Sequence, residues 1–411
     1  MPSSASSPTV DAATELAARV VDAARAATGL ELTPAEALLR PGNPRHGADF
    51  QANLAMTLAR RLRQDPGELA AELVEQLDID GVATAAVAGR GFINFRLDDA
   101  WIAGALAATA ADPRLGAGAR HGRERVVIDY SAPNIAKEMH VGHLRSTIIG
   151  DALARILRFV GDEVIAQNHV GDWGTQFGML IEELDAIGPA RVGGARSITD
   201  LDGFYRQARA HFDGDPAFAD RARARVVALQ AGDPATRAAW RELVEESERH
   251  FDVVYRLLGV QLTAADMAGE STYNDHFPPT IHDLEARGLL ELDDGALCAF
   301  PPGFQNRDGR PMPLIVRKSD GGYTYDTTDL AALRHRRRAL AGERILYVVG
   351  APQSQHLEMV FATARAAGWL DDGARAEHVA FGSVLGEDGK ILRTRTGENV
   401  KLVDLLHEAI R

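Results

Sequence analysis

The apolar positions of this chain follow two periods. Short, β-branched apolar runs predict buried strands at Arg125–Tyr130, Glu163–His169, Arg344–Val349 and His378–Ser383. Apolar residues spaced three and four apart predict helices between them. The clearest such face carries Leu144, Ile148, Ile149, Leu153, Ile156 and Leu157, and it stops at Gly161. Strands alternating with helices place this region in the α/β class, as a doubly wound parallel sheet.

The pattern also divides the chain. Residues 1–9 are expected to be disordered, and 10–113 to form a small α+β unit. Helices are predicted there near Asp11–Ala27, Phe50–Arg63 and Gly67–Leu77, the last with Asp65 as N-cap and Pro66 in its first turn. Val82–Leu97 reads as two short strands around a Gly-Arg-Gly turn, and Leu115–Gly122 is a Gly/Ala-rich connector. The alternating region then spans 123–385. Within it, 180–266 breaks the alternation with long, helical, highly charged sequence and is read as an insertion between the two halves of the sheet. The amphipathic run Lys401–Arg411 stops without a C-cap signal, so a fragment of a longer chain is the expectation.

Composition narrows the class. With 411 residues, 45% hydrophobic and 25% charged, the chain can bury full cores for two or three domains. A single cysteine, Cys298, excludes intramolecular disulfides and CxxC zinc sites and suits a reducing cytosol. The start, MPSSASSPT, has neither a basic nor an apolar signal-peptide region, and no apolar run is long enough for a membrane. A cytoplasmic monomer is expected. The formal net charge of −13 argues against a nucleic-acid partner only globally, because salt screens charges beyond about 8–10 Å. Arg334–Arg338 and Arg221–Arg225 are basic enough for RNA, but such runs are more often solvated helix faces.

Candidate chemistry lies between the first strand of the sheet and the helix after it. The loop ends in His140-Val-Gly-His143. Strand, loop and helix aim backbone N–H groups and a helix dipole at an anion. Two imidazoles three residues apart share one face, with Gly142 between them. HExxH, GxxxxGK[ST] and GxGxxG are all absent, so zinc, Walker-type and dinucleotide readings do not compete. The pattern favours adenylyl transfer, with no protein-held metal.

Around this motif the chain resembles arginyl-tRNA synthetases, a family of class I aminoacyl-tRNA synthetases. The likeness is carried by Ser131–Asp151, Asn168–Gly178, Gly269–Asp275, Lys318–Ala332, Tyr347–His356 and Gly389–Leu402, in the family's order. His140–His143 stands where that class has its HIGH signature. Leu392–Thr396 (LRTRT) stands where it has KMSKS, a departure shared by many arginine enzymes. The resemblance implies a class I Rossmann-like sheet with a helical connective insertion near the tRNA acceptor end. It also implies an N-terminal domain touching the outer corner of tRNA, carried by His46–Arg60, and a helical anticodon-binding domain after the chain's last residues.

The activity implied is ATP-dependent activation of L-arginine to arginyl-adenylate, then transfer to tRNA(Arg), with Mg2+ on the ATP phosphates. Negative charge builds on phosphate oxygens in such a step, so positioning and electrostatics dominate. His140 and His143 are expected to donate to those oxygens, and Gly142 to let adenine approach. By resemblance, Lys137 and Arg395 assist catalysis, and Lys390 and Arg393 hold ATP. Asn134, His143, Glu270, Tyr325, Asp329 and Gln353 are implied to bind arginine, whose planar guanidinium is best read by carboxylates. His169, Asp172 and Gln176 are further candidates for ribose or tRNA-end contacts, with Trp173 as packing. Two other readings stay open: a shortened paralogue passing arginine to a different acceptor, and a non-catalytic RNA-binding regulator.

Overall fold

The computed structural model describes residues 11–43, 47–117, 122–188, 200–371, 373–385 and 401–411, with the backbone of 191–192 and 195–196. The chain forms two compact units, Met1–His121 and Gly122–Arg411.

The first unit sets three helices against one antiparallel sheet. Helix α1 (Ala12–Thr28) is capped by the Asp11 carboxylate and closed by Gly29 at φ 68°. Strands β1 (Leu39–Pro41) and β2 (Phe50–Ala52) lead into α2 (Leu54–Leu62) and α3 (Pro66–Glu75). Strands β3 (Ala83–Ala88) and β4 (Phe92–Leu97) complete a sheet in the order β1-β2-β4-β3, and α4 (Asp99–Ala111) follows. The core gathers Leu16, Val20, Leu54, Leu58, Leu69, Leu73, Ile93 and Phe95. Asp65 caps α3 as expected, accepting from Gly67 and Glu68 N–H. One expectation fails: Phe50–Ala52 is strand, because it pairs with both β1 and β4, and the helix starts only after Asn53. Gly91 in the β3–β4 turn is required, since a Cβ there would lie 2.6 Å from the Pro66 carbonyl oxygen.

The second unit is built on a parallel sheet. Its first strands are β5 (Arg125–Asp129) and β6 (Glu163–Gln167), joined by α5 (Val141–Phe159). After α6 (Gln176–Ile187) come the two-residue strands β7 (Arg191–Val192) and β8 (Ala195–Arg196). Three long helices follow: α7 (Leu201–Gly214), α8 (Pro216–Ala231) and α9 (Pro234–Leu258). Asp200, Asp215 and Asp233 cap them, and Pro216 and Pro234 open the last two. Their apolar faces, including Phe204, Phe218, Leu243 and Phe251, join the same core as Val126 and Ile128.

The chain then returns through α10 (Phe277–Ala286) and a small antiparallel sheet. Its strands are β9 (Leu290–Asp293), β10 (Ala296–Ala299) and β11 (Leu314–Arg317), in the order β11-β10-β9. Helices α11 (Tyr325–Arg338) and α12 (Ser354–Ala366) flank β12 (Arg344–Tyr347), β13 (Arg375–His378) follows, and α13 (Leu402–Ile410) comes last. The large sheet runs β13-β12-β5-β6, all parallel. In β12, Ile345 and Tyr347 belong to one core cluster while Leu346 belongs to the other, so the sheet is buried on both faces.

Strand β13 corrects the expected His378–Ser383. Residues 375–378 pair in register with β12, and the chain leaves the sheet after His378. The order of strands matters more. From β5 the chain moves to β6 on one side, and later to β12 and β13 on the other. The crevice beyond the carboxyl ends of β5 and β12 is therefore the switch point where such sheets bind ligands.

The basic runs resolve into ion pairs within the second unit. Arg336 is fully buried against Asp129, while Arg334 and Arg338 pair with Asp283, and Arg337 with Asp371. Arg221 and Arg225 both pair with Glu182.

Candidate active site

The loop leaving β5 is held in a costly shape. Ser131, Ala132 and Ala136 all have positive φ, at 74°, 48° and 58°. Side chains from elsewhere bond their amides: Ser146 Oγ accepts from Ser131 N–H, Asn168 Oδ1 from Ala132 N–H, and Ser247 Oγ from Ala136 N–H. Tyr255 bridges the Ser131 hydroxyl and the Asn168 amide. The loop is thus over-determined by α5, the end of β6 and α9. Gly150 lets α5 lie close to the strand end, since a Cβ there would be 2.2 Å from Tyr130 Cβ.

The two histidines cap α5 reciprocally. His140 Nδ1 accepts from Gly142 N–H at 3.1 Å, and His143 Nδ1 accepts from His140 N–H at 3.1 Å. Their ring centroids are 3.9 Å apart. Burial lowers both imidazoles below their usual range, and His143, also beside His140 and Lys137, is pushed down to about 3. Both rings are neutral at physiological pH. With each Nδ1 accepting, the ring proton sits on Nε2, so each offers one N–H donor. Gly142 is needed by the cap itself, because a Cβ would lie 2.8 Å from the His140 ring.

Residues from the helical insertion and from α13 meet this turn. Lys137 Nζ lies 4.4 Å from the centre of the Tyr205 ring on α7. Asp202 accepts from Glu138 N–H. Lys401 forms an antiparallel bridge with His140 and places its ammonium 3.4 Å from Asp200 and 3.6 Å from Glu138. On the other flank, Arg145 donates to Gly382 carbonyl oxygen at 2.7 Å. The chain on both sides of 386–400 is therefore fastened to the start of α5. Lys390, Arg393 and Arg395 themselves lie outside the described residues.

Acids dominate the other half of the site. The start of α11 carries Tyr325 and Asp326 in its first turn and Asp329 just after, and the helix begins one residue before the expected Asp326. Asp326 accepts from Ile315 N–H and is pushed up to about 6, mainly by burial. Asp329 Oδ2 is 2.6 Å from His356 Nε2, while His356 Nδ1 is 3.4 Å from Asp326 Oδ1. Glu270 heads the short helical turn Glu270–His276, and its carboxyl is pushed up to about 7 by burial, then by Asp172 and Asp329. Crowded, partly protonated carboxyls of this kind can take up a cation and lose protons as they do so.

The remaining expected residues have clear places. Asn134 is exposed and bridges Gly171, which ties the loop after β5 to the loop after β6. Tyr325 is 66% exposed, and its ring meets His356 edge-on. Gln353 is exposed at the end of the Ala351–Gln353 turn, which the Ala351 N–H bond to Phe381 carbonyl oxygen pins beyond β12. Asp172 is buried, and its carboxylate accepts from both the amide and hydroxyl of Ser271. That clasp holds the Asp172 charge near Glu270. Gln176 donates to Trp173 carbonyl oxygen, His169 Nδ1 meets Ala268 carbonyl oxygen, and Trp173 packs edge-on against Trp240. Four site residues escape sequence reasoning: His356, Asp326, Tyr205 and Lys401. Three of these, Asp326, His356 and Lys401, lie within stretches that carry the family likeness, but none has a spacing signal of its own.

Comparison with known proteins agrees with this geometry. Residues 107–411 match the family model "tRNA synthetases class I (R), catalytic domain", and 14–97 match "Arginyl tRNA synthetase N terminal domain". The arginine–tRNA ligase of Thermobifida fusca is 53% identical over 97% of this chain, and that of Frankia casuarinae is 53% identical over 92%. The chain spans 69% and 66% of those relatives' lengths. Among solved structures, the arginyl-tRNA synthetase of Plasmodium falciparum superposes with TM-score 0.69 at 27% identity, covering 96% of this chain and 66% of that one. That of Thermus thermophilus gives 0.66 at 22% identity, covering 96% and 69%, a likeness of fold. With a neutral histidine pair capping the helix after β5 and acids gathered on α11, the chain belongs to the arginyl-tRNA synthetase family of class I aminoacyl-tRNA ligases.

Proposed function

We propose that this chain activates L-arginine with ATP and passes it to the 3′ end of tRNA(Arg). The observation that carries the reading is the pairing of two surfaces of opposite chemistry in one unit. Neutral imidazole donors and Lys137 stand at the positive end of α5, and Glu270, Asp326 and Asp329 gather beside α11.

The arginine carboxylate attacks the α-phosphorus, and pyrophosphate leaves. His140 and His143 donate Nε2–H to phosphate oxygens as charge builds there, and α5 adds its dipole. Lys137, held over Tyr205, supplies a cation, and Lys390, Arg393 and Arg395 add positive charge for the departing phosphates. Asp329 and Glu270 pair with the guanidinium. Tyr325 and Gln353 line its approach, and Asn134 holds the α-amino or carboxylate end. In the second step a terminal ribose hydroxyl of tRNA attacks the activated carbonyl, and AMP leaves.

Among the described residues no group of three or more His, Cys, Asp or Glu side chains is arranged to hold a metal ion. Mg2+ is placed on the ATP phosphates because a hard cation of this size is held mainly by phosphate oxygens and water. No helix among the described residues is long and apolar enough to cross a membrane. We assign the protein to the cytoplasm as a monomer, with 10–113 as a tRNA-contacting domain, 123–385 as the catalytic domain and 386–411 as the signature loop leading to the C-terminal region.

Arginine-dependent exchange of pyrophosphate into ATP, measured with and without tRNA(Arg), tests this directly. Exchange supported by arginine is expected. Exchange supported by a different amino acid and not by arginine contradicts the assignment.

A further inference from the structure

His356 has no role in the reaction as described, yet it touches three residues of the arginine surface. It comes from α12, and its ring lies against the first turn of α11. Nε2 is 2.6 Å from Asp329 Oδ2, Nδ1 is 3.4 Å from Asp326 Oδ1, and the Tyr325 ring stands edge-on at 5.1 Å. We propose that His356 is a positioning residue for cationic substrate, fixing the Asp329 carboxylate so that its second oxygen faces the guanidinium. This rests on the reading of Asp329 as a guanidinium partner.

The physical basis is charge and rotamer restriction. Asp326 and Asp329 are three apart on one helix face, so their ionised forms repel. A cation between them removes that repulsion. Burial opposes the charge on His356, but the hydrogen bond and charge of Asp329, then Asp326, outweigh it and hold the imidazole above its usual range. The groups facing His356 are Asp326, Asp329 and Tyr325 on α11, with Glu270 reaching Asp329 from its own turn. A carboxylate with one oxygen bonded has one free orientation for its other lone pairs. Without His356, Asp329 would rotate and its second oxygen would no longer be held towards the guanidinium.

The test is calorimetric titration of the chain with L-arginine and with L-citrulline, its neutral isostere, in Asp329→Ala, His356→Leu, His356→Gln and the two double variants with Asp329→Ala. His356→Leu is expected to raise the arginine Kd by about tenfold, and His356→Gln, which keeps a donor, by about threefold. Citrulline binding should change little in either. In the Asp329→Ala background, neither histidine change should weaken arginine binding further. An unchanged arginine Kd in the folded histidine variants, or a penalty that persists without Asp329, overturns the proposal. Should the leucine variant not fold, the glutamine variant decides the matter by the same comparison, with melting curves checking its fold. If Asp329→Ala itself leaves the arginine Kd unchanged, it is the reading of the acid that fails instead.

Discussion

At the scale of single residues, the site depends on which groups are neutral. In the proposed reaction His143, pushed down to about 3, would donate without carrying charge and so would not trap phosphate in the ground state. His143→Ala should leave the melting curve nearly intact and cut the activation rate by about 10²–10³, the scale of losing one preorganised donor. Glu270 gives a pH signature. Its value of about 7 lies above the unfolded carboxylate near 4.3, so its stabilising contribution is complete below that value and is lost as pH rises to 7. Arginine binding favours the ionised form. The arginine Kd should therefore fall as pH rises from about 6 to about 8, and Glu270→Gln should flatten the curve. A Kd independent of pH in the wild type contradicts this role.

Legibility in the sequence differs sharply between these residues. His140 and His143 stand out because two imidazoles, a glycine and a strand–helix junction coincide within a few positions. His356 has no such context in the sequence: its partners lie on α11, and only folding brings α12 against that helix. Gly142 is legible as a position without a side chain, and the structure adds that a Cβ there would meet the His140 ring.

At the scale of elements, periodicity locates the long helices and the buried parallel strands, whose apolar runs are unmistakable. It fails where pairing overrides local preference. Phe50–Ala52 continues a helical pattern into α2 but is drawn into the sheet between β1 and β4. The small sheet β9-β10-β11 has strands of four residues and a register shift, too short for alternation to show. The basic run at the end of α11 has the composition of an exposed face. It instead anchors the helix that presents Asp329, with Asp283 at the hub. That carboxylate accepts from Arg287, Arg334 and the buried Trp369 indole N–H, and forms an ion pair with Arg338. Asp283→Ala leaves that N–H unpaired and should cost about 1–3 kcal/mol in denaturant unfolding. The arginine Kd should move only if α11 shifts, so unchanged stability would remove Asp283 from this role.

At the scale of the molecule, every described side chain proposed for arginine activation belongs to the second unit, around the carboxyl ends of its parallel strands. A net charge of −13 does not describe that crevice, where donors and acids are segregated by the strand order. The measurement that bears most directly on this mechanism is a crystal structure of the chain with L-arginine and a non-hydrolysable ATP analogue. The α-phosphate is expected within hydrogen-bond reach of His140 and His143 Nε2, and the guanidinium paired with Asp329 beside Glu270. Adenosine bound away from the start of α5, or a guanidinium turned from α11 into solvent, would contradict it.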